Sequence, residues 1–571
     1  MTAPDVGAGG ALPAREQRVS ELEARMFDAL VVGGGITGAA TARDLASRGL
    51  SVALVEREDW ASGTSWRSSK LVHGGLRYLA RGDLFLVFQS LAERSRLLRL
   101  APHLVSPLEF VFAILRGRWV SPPTLAAGLT LYDVLALGRG NRHRGLSARA
   151  AVEAEPLLAG ADLAGGALYS DASTDDARLT LENVLDAVSL GAVAVSRLSV
   201  TSFLRAAAGA PVEGVAGRDR ETGRDLRVRA RVTVEAAGPW TDALRREEDP
   251  AAAPTVRLSK GTHITVPFPV LPVRRAVAIP AERGRLVFVI PTGPVTLIGT
   301  TDADYRGSVD GVGPEPSEVE YLLARAREAF PSHAPERRDV IAAFAGLRPL
   351  RFEPGRDVTA MSREESVDAS PGRVIVTGGK LTTHRRMGCR AGNAVAAQLR
   401  ARGVRCGKSA TSERKFPGAP DGAMLMEAFV EGFVRDASRS VPEEASRHLA
   451  RRYGARAAGV LAILSGGGLS GPLVRGLPDL EAEVVFAARS EDARSASDVL
   501  IRRTHLFWQA ADQAAAALDR VQELLQRELG WTAVAAAQSR QEYLREIAKS
   551  RRALTVADGA GDAATPDPET L

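Results

Sequence analysis

Cysteine is nearly missing from this 571-residue sequence, which has two, Cys389 and Cys406. Two thiols cannot build a disulfide framework, and they fit a reducing compartment. Histidine is scarce too, with eight residues, which leaves few candidates for proton transfer near neutral pH. No uninterrupted apolar run approaches the ~20 residues that a membrane helix needs, so the chain is expected to be soluble or peripheral rather than integral. The N-terminus, MTAPDVGAGGALPAREQRVSELEARM, lacks a basic start followed by an apolar core and does not read as a signal peptide. There is no nucleic-acid motif and no dense Lys/Arg tract, so the sequence pI near 9.5 does not argue for nucleic acid. A net charge of +6 is modest for this length and suits an anionic substrate or surface. No metal is expected.

What is present is most informative from Phe27 to Glu56, FDALVVGGGITGAATARDLASRGLSVALVE. A strand over Ala29–Val32 leads into Gly33-x-Gly35-x-x-Gly38, then an amphipathic helix with Ala40, Leu45 and Ala46 on its apolar side. Gly49 stops the helix, a strand over Val52–Val55 follows, and Glu56 ends it. This is a dinucleotide-binding βαβ unit. Gly33 permits the tight turn, Gly35 lets backbone approach a pyrophosphate, and Gly38 lets helix and strand pack. The first helical amides, at Ile36 and Thr37, face the phosphates. Glu56 accepts hydrogen bonds from a ribose diol and disfavours a 2′-phosphate.

At this length two or three domains are expected. Residues 26–405 hold a nucleotide-binding part, opened by the βαβ unit and closed by RVIVTGGKLTTH. Interleaved with it are RVRARVTVEAAG, HITVPFPVLP and RLVFVIPTGPVTLIGTTD, whose alternation suggests an antiparallel substrate sheet. Residues 406–424 form a polar linker, and residues 425–555 form a helical cap of structural role. ASRHLARRYGARAAGVLAIL and DQAAAALDRVQELLQREL are its clearest helices. Composition marks residues 1–25 and 556–571 as disordered. The fold class is α/β, a Rossmann-like domain interleaved with an antiparallel-sheet domain, plus the helical cap.

The segment SGTSWRSSKLVHGGLRYL, Ser62–Leu79, mixes hydroxyls, glycines and cations with Trp66, Leu71, Val72, Leu76 and Tyr78, which argues for an ordered functional loop. Together with GGGITG, AAGPW, KGTHI, GTTDADY, GLRPL and GGKLTTHR it resembles the FAD-dependent glycerol-3-phosphate dehydrogenases, from about Phe27 to Trp508. The resemblance implies FAD as cofactor, sn-glycerol 3-phosphate as substrate and a membrane quinone as acceptor. It also implies a cytoplasmic protein, peripheral on the inner face of the membrane; a homodimer is left open. Flavin contacts are then expected at Thr64, Ser65, Ser68, Ser69, Lys70, Gly74 and Gly75. Further ones are expected at Ala237 and Gly238, and at Gly379, Lys380, Leu381 and Thr382.

A phosphate monoester with a secondary alcohol needs cations for the phosphate and an acceptor for the hydroxyl proton. By residue match the substrate-binding set is Arg77, Tyr78, Arg348, Arg363 and Lys380. Arg348 sits in the apolar stretch AAFAGLRPL, where a buried guanidinium needs a partner. Ser362-Arg363-Glu364 departs from the family's Thr-Arg-Asp. His73 and His263 are both candidates for the proton acceptor; Arg348 can instead stabilise the developing alkoxide, with water or a shared proton network finishing the step, and Lys380 completes the catalytic set. His384 stands where the family has tyrosine and receives no role. Phe110–Leu137, unusually apolar and followed by Arg139, Arg142, His143 and Arg144, fits either an anionic membrane surface or a packed core. Alternatives to the quinone-linked dehydrogenase are an oxygen-using glycerol-3-phosphate oxidase, an amine or hydroxy-acid oxidase, and a non-catalytic dinucleotide-binding regulator. Gly35→Val should abolish flavin binding, because a branched side chain blocks the pyrophosphate; a yellow variant purified with full flavin would overturn the assignment.

Overall fold

The computed structural model describes residues 9–79, 82–138, 140–207, 209–282, 284–355, 361, 364–421, 424–437 and 441–555. Within these, the chain forms two large sheets and a C-terminal group of helices. The first sheet has eight strands among the described residues. Its central strand, Met26–Val32, runs parallel to Val52–Val55 on one side and Asp225–Glu235 on the other. Ala29, Leu30, Val31 and all of Val52–Val55 are buried, as parallel strands covered on both faces must be. One face is covered by the helices Ile36–Ser47, Asp176–Ser189 and His384–Arg400, packed through Leu45, Leu181, Leu185, Met387 and Val395.

The alternation in RVRARVTVEAAG suggested an antiparallel substrate strand, but Asp225–Glu235 belongs to this nucleotide sheet. It runs parallel to Met26–Val32 and to Arg373–Gly378. The alternation is confined to its first half, where it pairs antiparallel with Val212–Asp219 and one side faces solvent; its last four residues are buried.

The second sheet has ten strands among the described residues. Val256–Pro267 pairs antiparallel with Ala342–Arg351 along ten positions and also with Val295–Gly299. The hairpin Leu286–Thr292/Val295–Gly299 is formed as its alternation and Thr-Gly-Pro turn suggest. Phe110–Leu115 is the buried half of the strand Val105–Leu115, between Leu163–Thr174 and Ala276–Pro280. The strand half of the apolar Phe110–Leu137 stretch is therefore core, and Trp119 packs against the same core.

Two other expectations change. Residues expected to be disordered at the start include the helix Arg15–Ala24, which pins Arg15 to Asp219 and Arg18 to Asp492. Gly9 accepts a hydrogen bond from Ser490, and Leu12 donates its amide to Arg489. Low overall hydrophobicity misled here because the helix brings only Val19 and Leu22 to the core, and ion pairs and backbone bonds add the rest of the hold. Residues 1–8 and 556–571 lie outside the described residues.

The helical region is more than a cap. Asp59, in the loop after Val52–Val55, is buried between Arg502 (2.6 Å) and Arg503 (2.9 Å). Glu491 is buried between Arg178 (2.7 Å) and Arg456 (2.6 Å); burial pushes its carboxyl up, and the two guanidinium groups more than offset that, bringing it down to about 2. His505 reaches Asp175 at 2.5 Å. Removing one partner of such a pair leaves an uncompensated buried charge, so Asp59→Ala should lower stability by about 3–5 kcal/mol. Chemical or thermal unfolding measures this; an unchanged midpoint would show that the clamp contributes nothing.

Candidate active site

A cavity of about 950 Å³ is lined by both sheets and by the helical region. Its size is at the upper end of the ~300–1,000 Å³ of ligand pockets, as a dinucleotide requires. At one end Glu56 accepts from the amides of Gly34 (2.6 Å) and Glu58 (2.8 Å). Burial raises its pKa, and those two amides oppose the shift. Over this end the Trp240 indole and Arg57 both donate to Asp310, at 2.8 and 2.7 Å. Ala237 and Gly238 line the wall beside them.

The glycine motif divides by physical cause. Gly33 has φ +109°, and a Cβ there would lie 2.5 Å from the Ala236 carbonyl. A Cβ on Gly38 would overlap the Gly33 carbonyl. Gly35 would meet only the Ser65 hydroxyl, at 3.3 Å. Nothing in the protein requires glycine there; it opens on the cavity together with Gly33, Ile36 and Thr37. Ser65 accepts the Ile36 amide at 2.9 Å. An open cradle at a helix N-terminus, next to a carboxylate at a strand end, fits the pyrophosphate and ribose of FAD.

The loop Ser62–Leu79 splits in the same way. Thr64, Ser65, Ser68, Ser69 and His73 line the cavity. Lys70 does not: its ammonium is buried on Asp176 (2.7 Å) and the Trp66 carbonyl (3.1 Å), with Ser68 also donating to Asp176 (2.6 Å). The side chain expected at the flavin instead fastens the loop to helix Asp176–Ser189. Gly74 and Gly75 also lie outside the cavity lining. They are glycines because a Cβ would strike Tyr132 at Gly74 and Tyr78 at Gly75.

Away from the glycine turn, the cavity brings together Arg348, Lys380, His263, His73 and Tyr78. Arg348 donates to Asp302 (3.2 Å), Ser259 (3.2 Å) and Thr300 (3.0 Å). The partner that its apolar surroundings demanded is thus Asp302, which also receives the Ser259 hydroxyl at 2.5 Å. Gly261 is glycine because a Cβ would overlap the Arg348 guanidinium, and Gly299 because it would overlap the His263 ring. His263 stacks on Phe344 at 5.5 Å and meets the Ser69 hydroxyl at 2.8 Å. Burial first, then Arg348 and Lys70, hold its pKa well below the usual histidine value, so it is neutral. The Lys380 ammonium lies 3.4 Å from the centre of the Tyr78 ring. Gly379, Leu381 and Thr382 line the wall beside it.

His384 is buried with Nδ1 at 2.8 Å from the Leu381 carbonyl, and burial lowers its pKa to about 4. Arg77 lies on the short helix Leu76–Leu79, and its side chain is outside the described residues, as is Arg363.

Several lining residues were not foreseen. Phe110, Tyr169 and Phe288 form an aromatic wall beside Leu286, with Phe110 stacked on Tyr169 at 5.0 Å. The helical region contributes Arg502, Glu542, Arg545, Glu546 and Lys549, and Glu546 pairs with Arg67 at 3.5 Å. Asp302 falls inside GTTDADY, so the motif marked it; the others carry no local signal.

Residues 28–388 match the family described as FAD dependent oxidoreductase, and residues 409–536 match the C-terminal domain of alpha-glycerophosphate oxidase. The chain is 36% identical over 547 residues to glycerol-3-phosphate dehydrogenase 2 of Mycobacterium tuberculosis, covering 93% of this chain and 91% of that protein. It is 34% identical over 542 residues to the human mitochondrial glycerol-3-phosphate dehydrogenase, covering 91% and 73%. The solved structure of the glycerol-3-phosphate dehydrogenase from Bacillus halodurans complexed with FAD is similar at a TM-score of 0.78 and 30% identity, covering 95% and 99%. Gly261→Ala should keep the flavin yet displace the Arg348 guanidinium, lowering kcat/KM for glycerol 3-phosphate by roughly tenfold or more. Steady-state kinetics beside a flavin spectrum checks this, and wild-type kinetics would detach Arg348 from the substrate.

Proposed function

Because the chain belongs to the family of FAD-dependent glycerol-3-phosphate dehydrogenases, we propose that it oxidises sn-glycerol 3-phosphate to dihydroxyacetone phosphate and delivers the electrons to a membrane quinone. It is an FAD-dependent oxidoreductase. The observation that carries the substrate reading is the placement of Arg348 and Lys380 in one cavity with His73, His263 and the nucleotide cradle. Bound FAD supplies the hydride acceptor. Arg348 and Lys380 hold the phosphate, and Asp302 fixes the direction of the Arg348 fork. His263, neutral and flanked by cations, is a poor place for a proton; it hydrogen-bonds the substrate hydroxyl or Ser69. His73 takes the hydroxyl proton. The aromatic wall of Phe110, Tyr169 and Phe288 excludes water.

The membrane reading narrows to the helical half of the Phe110–Leu137 stretch and the helix packed beside it. The helices Leu84–Leu100 and Pro122–Ala136 pack through Leu86, Val87, Leu91, Tyr132 and Ala136. On their outer sides Phe85, Val134 and Leu137 are 65%, 62% and 62% exposed, with Leu84 and Leu131 beside them in sequence. Arg142 and Arg144 follow, both exposed, while Arg116 and Arg118 are paired with Asp162 and Glu328. Among the described residues no helix is long and apolar enough to cross a membrane. Apolar side chains beside exposed cations support peripheral docking on anionic lipid. Arg139 lies outside the described residues.

Anaerobic glycerol 3-phosphate should bleach the flavin, glycerol should not, and a quinone should restore the colour faster than oxygen. Equal bleaching by glycerol would remove the phosphate reading, and faster recovery with oxygen would make the protein an oxidase. Val134→Glu should weaken flotation with anionic liposomes and leave dye-linked turnover intact; unchanged flotation would remove this surface from the membrane.

A further inference from the structure

The loop that carries His73 is held by a residue far away in sequence and distinct from the substrate and flavin groups. His73 donates its amide to the Thr382 hydroxyl (3.1 Å), and the same hydroxyl donates back to the His73 carbonyl (3.3 Å). On the other side, the Gly74 amide donates to the Tyr132 hydroxyl (2.9 Å), which in turn donates to Asp171 (2.8 Å). Asp171 also takes the Gly74 amide (3.1 Å) and Arg94 (2.6 Å). We propose that Tyr132 is a positioning residue for the reaction: its hydroxyl sets the backbone direction at Gly74 and thereby aims the His73 side chain into the cavity. This rests on the reading of His73 as proton acceptor.

Three observations separate this from plain packing. The Tyr132 ring is already buried in an apolar cluster with Leu86, Val87, Leu91 and Ala136, so a phenyl ring would fill the same space. The Gly74 amide has the Asp171 carboxylate as a second acceptor, so the hydroxyl is not needed merely to satisfy it. What the hydroxyl adds is a close contact on the turn itself: a Cβ on Gly74 would overlap the phenol oxygen, which is nearer than the Leu91 side chain at 2.6 Å. Burial, with the Asp171 charge behind it, keeps that phenol protonated, so its proton stays committed to Asp171 and its lone pairs to Gly74. A misplacement of about 1 Å in a reacting group can cost a hundredfold in rate, and hydrogen bonds to Thr382, Tyr132 and Asp171 hold this turn.

The test is single-turnover flavin reduction by glycerol 3-phosphate, with Tyr132→Phe, His73→Gln and the double variant. Tyr132→Phe is expected to retain its flavin and its apparent substrate Kd, and to lose roughly tenfold to a hundredfold in limiting reduction rate. If Tyr132 acts through His73, the double variant is no slower than His73→Gln alone; independent roles would multiply. Should Tyr132→Phe fail to fold, Gly74→Ala, which pushes the turn off the same hydroxyl, is expected to give the same rate loss and the same lack of additivity. A slow His73→Gln with a Tyr132→Phe variant at wild-type rate overturns the positioning role and leaves the His73 reading standing. A His73→Gln variant at wild-type rate overturns both. Multiplicative losses overturn the route through His73.

Discussion

A buried charge without a partner is the constraint on which this molecule is arranged. Taking an ion out of water costs several kcal/mol even after relaxation, and many carboxylates and guanidiniums here are nevertheless buried. Asp59, Asp176, Asp302 and Glu491 each lie among cations or hydroxyls supplied by a different part of the chain. These pairings fix the loop after Val52–Val55, the loop Ser62–Leu79 and the helical region against one another. The cavity needs walls from all three, and non-directional apolar burial alone would let them slide. The fork geometry of arginine supplies direction.

The local part of this plan is written openly in the sequence. The βαβ unit reads correctly because strand, turn, helix and strand are consecutive. Arg348 stood out because an arginine flanked by leucine and proline in an apolar run has to find a counter-charge. Family motifs located the segments that bring residues of Gly33–Thr37, Ser62–His73, Gly346–Leu350 and Gly378–Thr382 to the cavity. They did not reveal which residues of a loop face the cavity: Lys70, Gly74 and Gly75 sit within those motifs and serve the packing behind it.

What the sequence hid is long-range. Asp171, Tyr132 and Phe288 carry no local pattern, and their importance arises only where strands and helices meet. The strand Asp225–Glu235 misled because edge-like alternation and burial on both sides occur in one element. Residues 15–24 misled because composition measures apolar content, whereas ion pairs such as Arg15 with Asp219 depend on a partner some 200 residues distant. The helical region read as a cap because nothing in an Ala/Arg/Leu-rich helix announces that Glu546 will meet Arg67.

The attachment of the first residues to the last region has a consequence in time. Gly9, Leu12 and Arg18 bind Ser490, Arg489 and Asp492. A ribosome makes one end of each contact almost the whole chain before the other, at about 5–20 residues per second. The emerging N-terminus therefore waits tens of seconds without its partners, while the nucleotide sheet, whose strands also come from distant stretches, is assembled around it. Contacts of such long sequence separation form late and slowly. The chain is thus closed into a ring by joining a segment made early to one made 474 to 481 residues later.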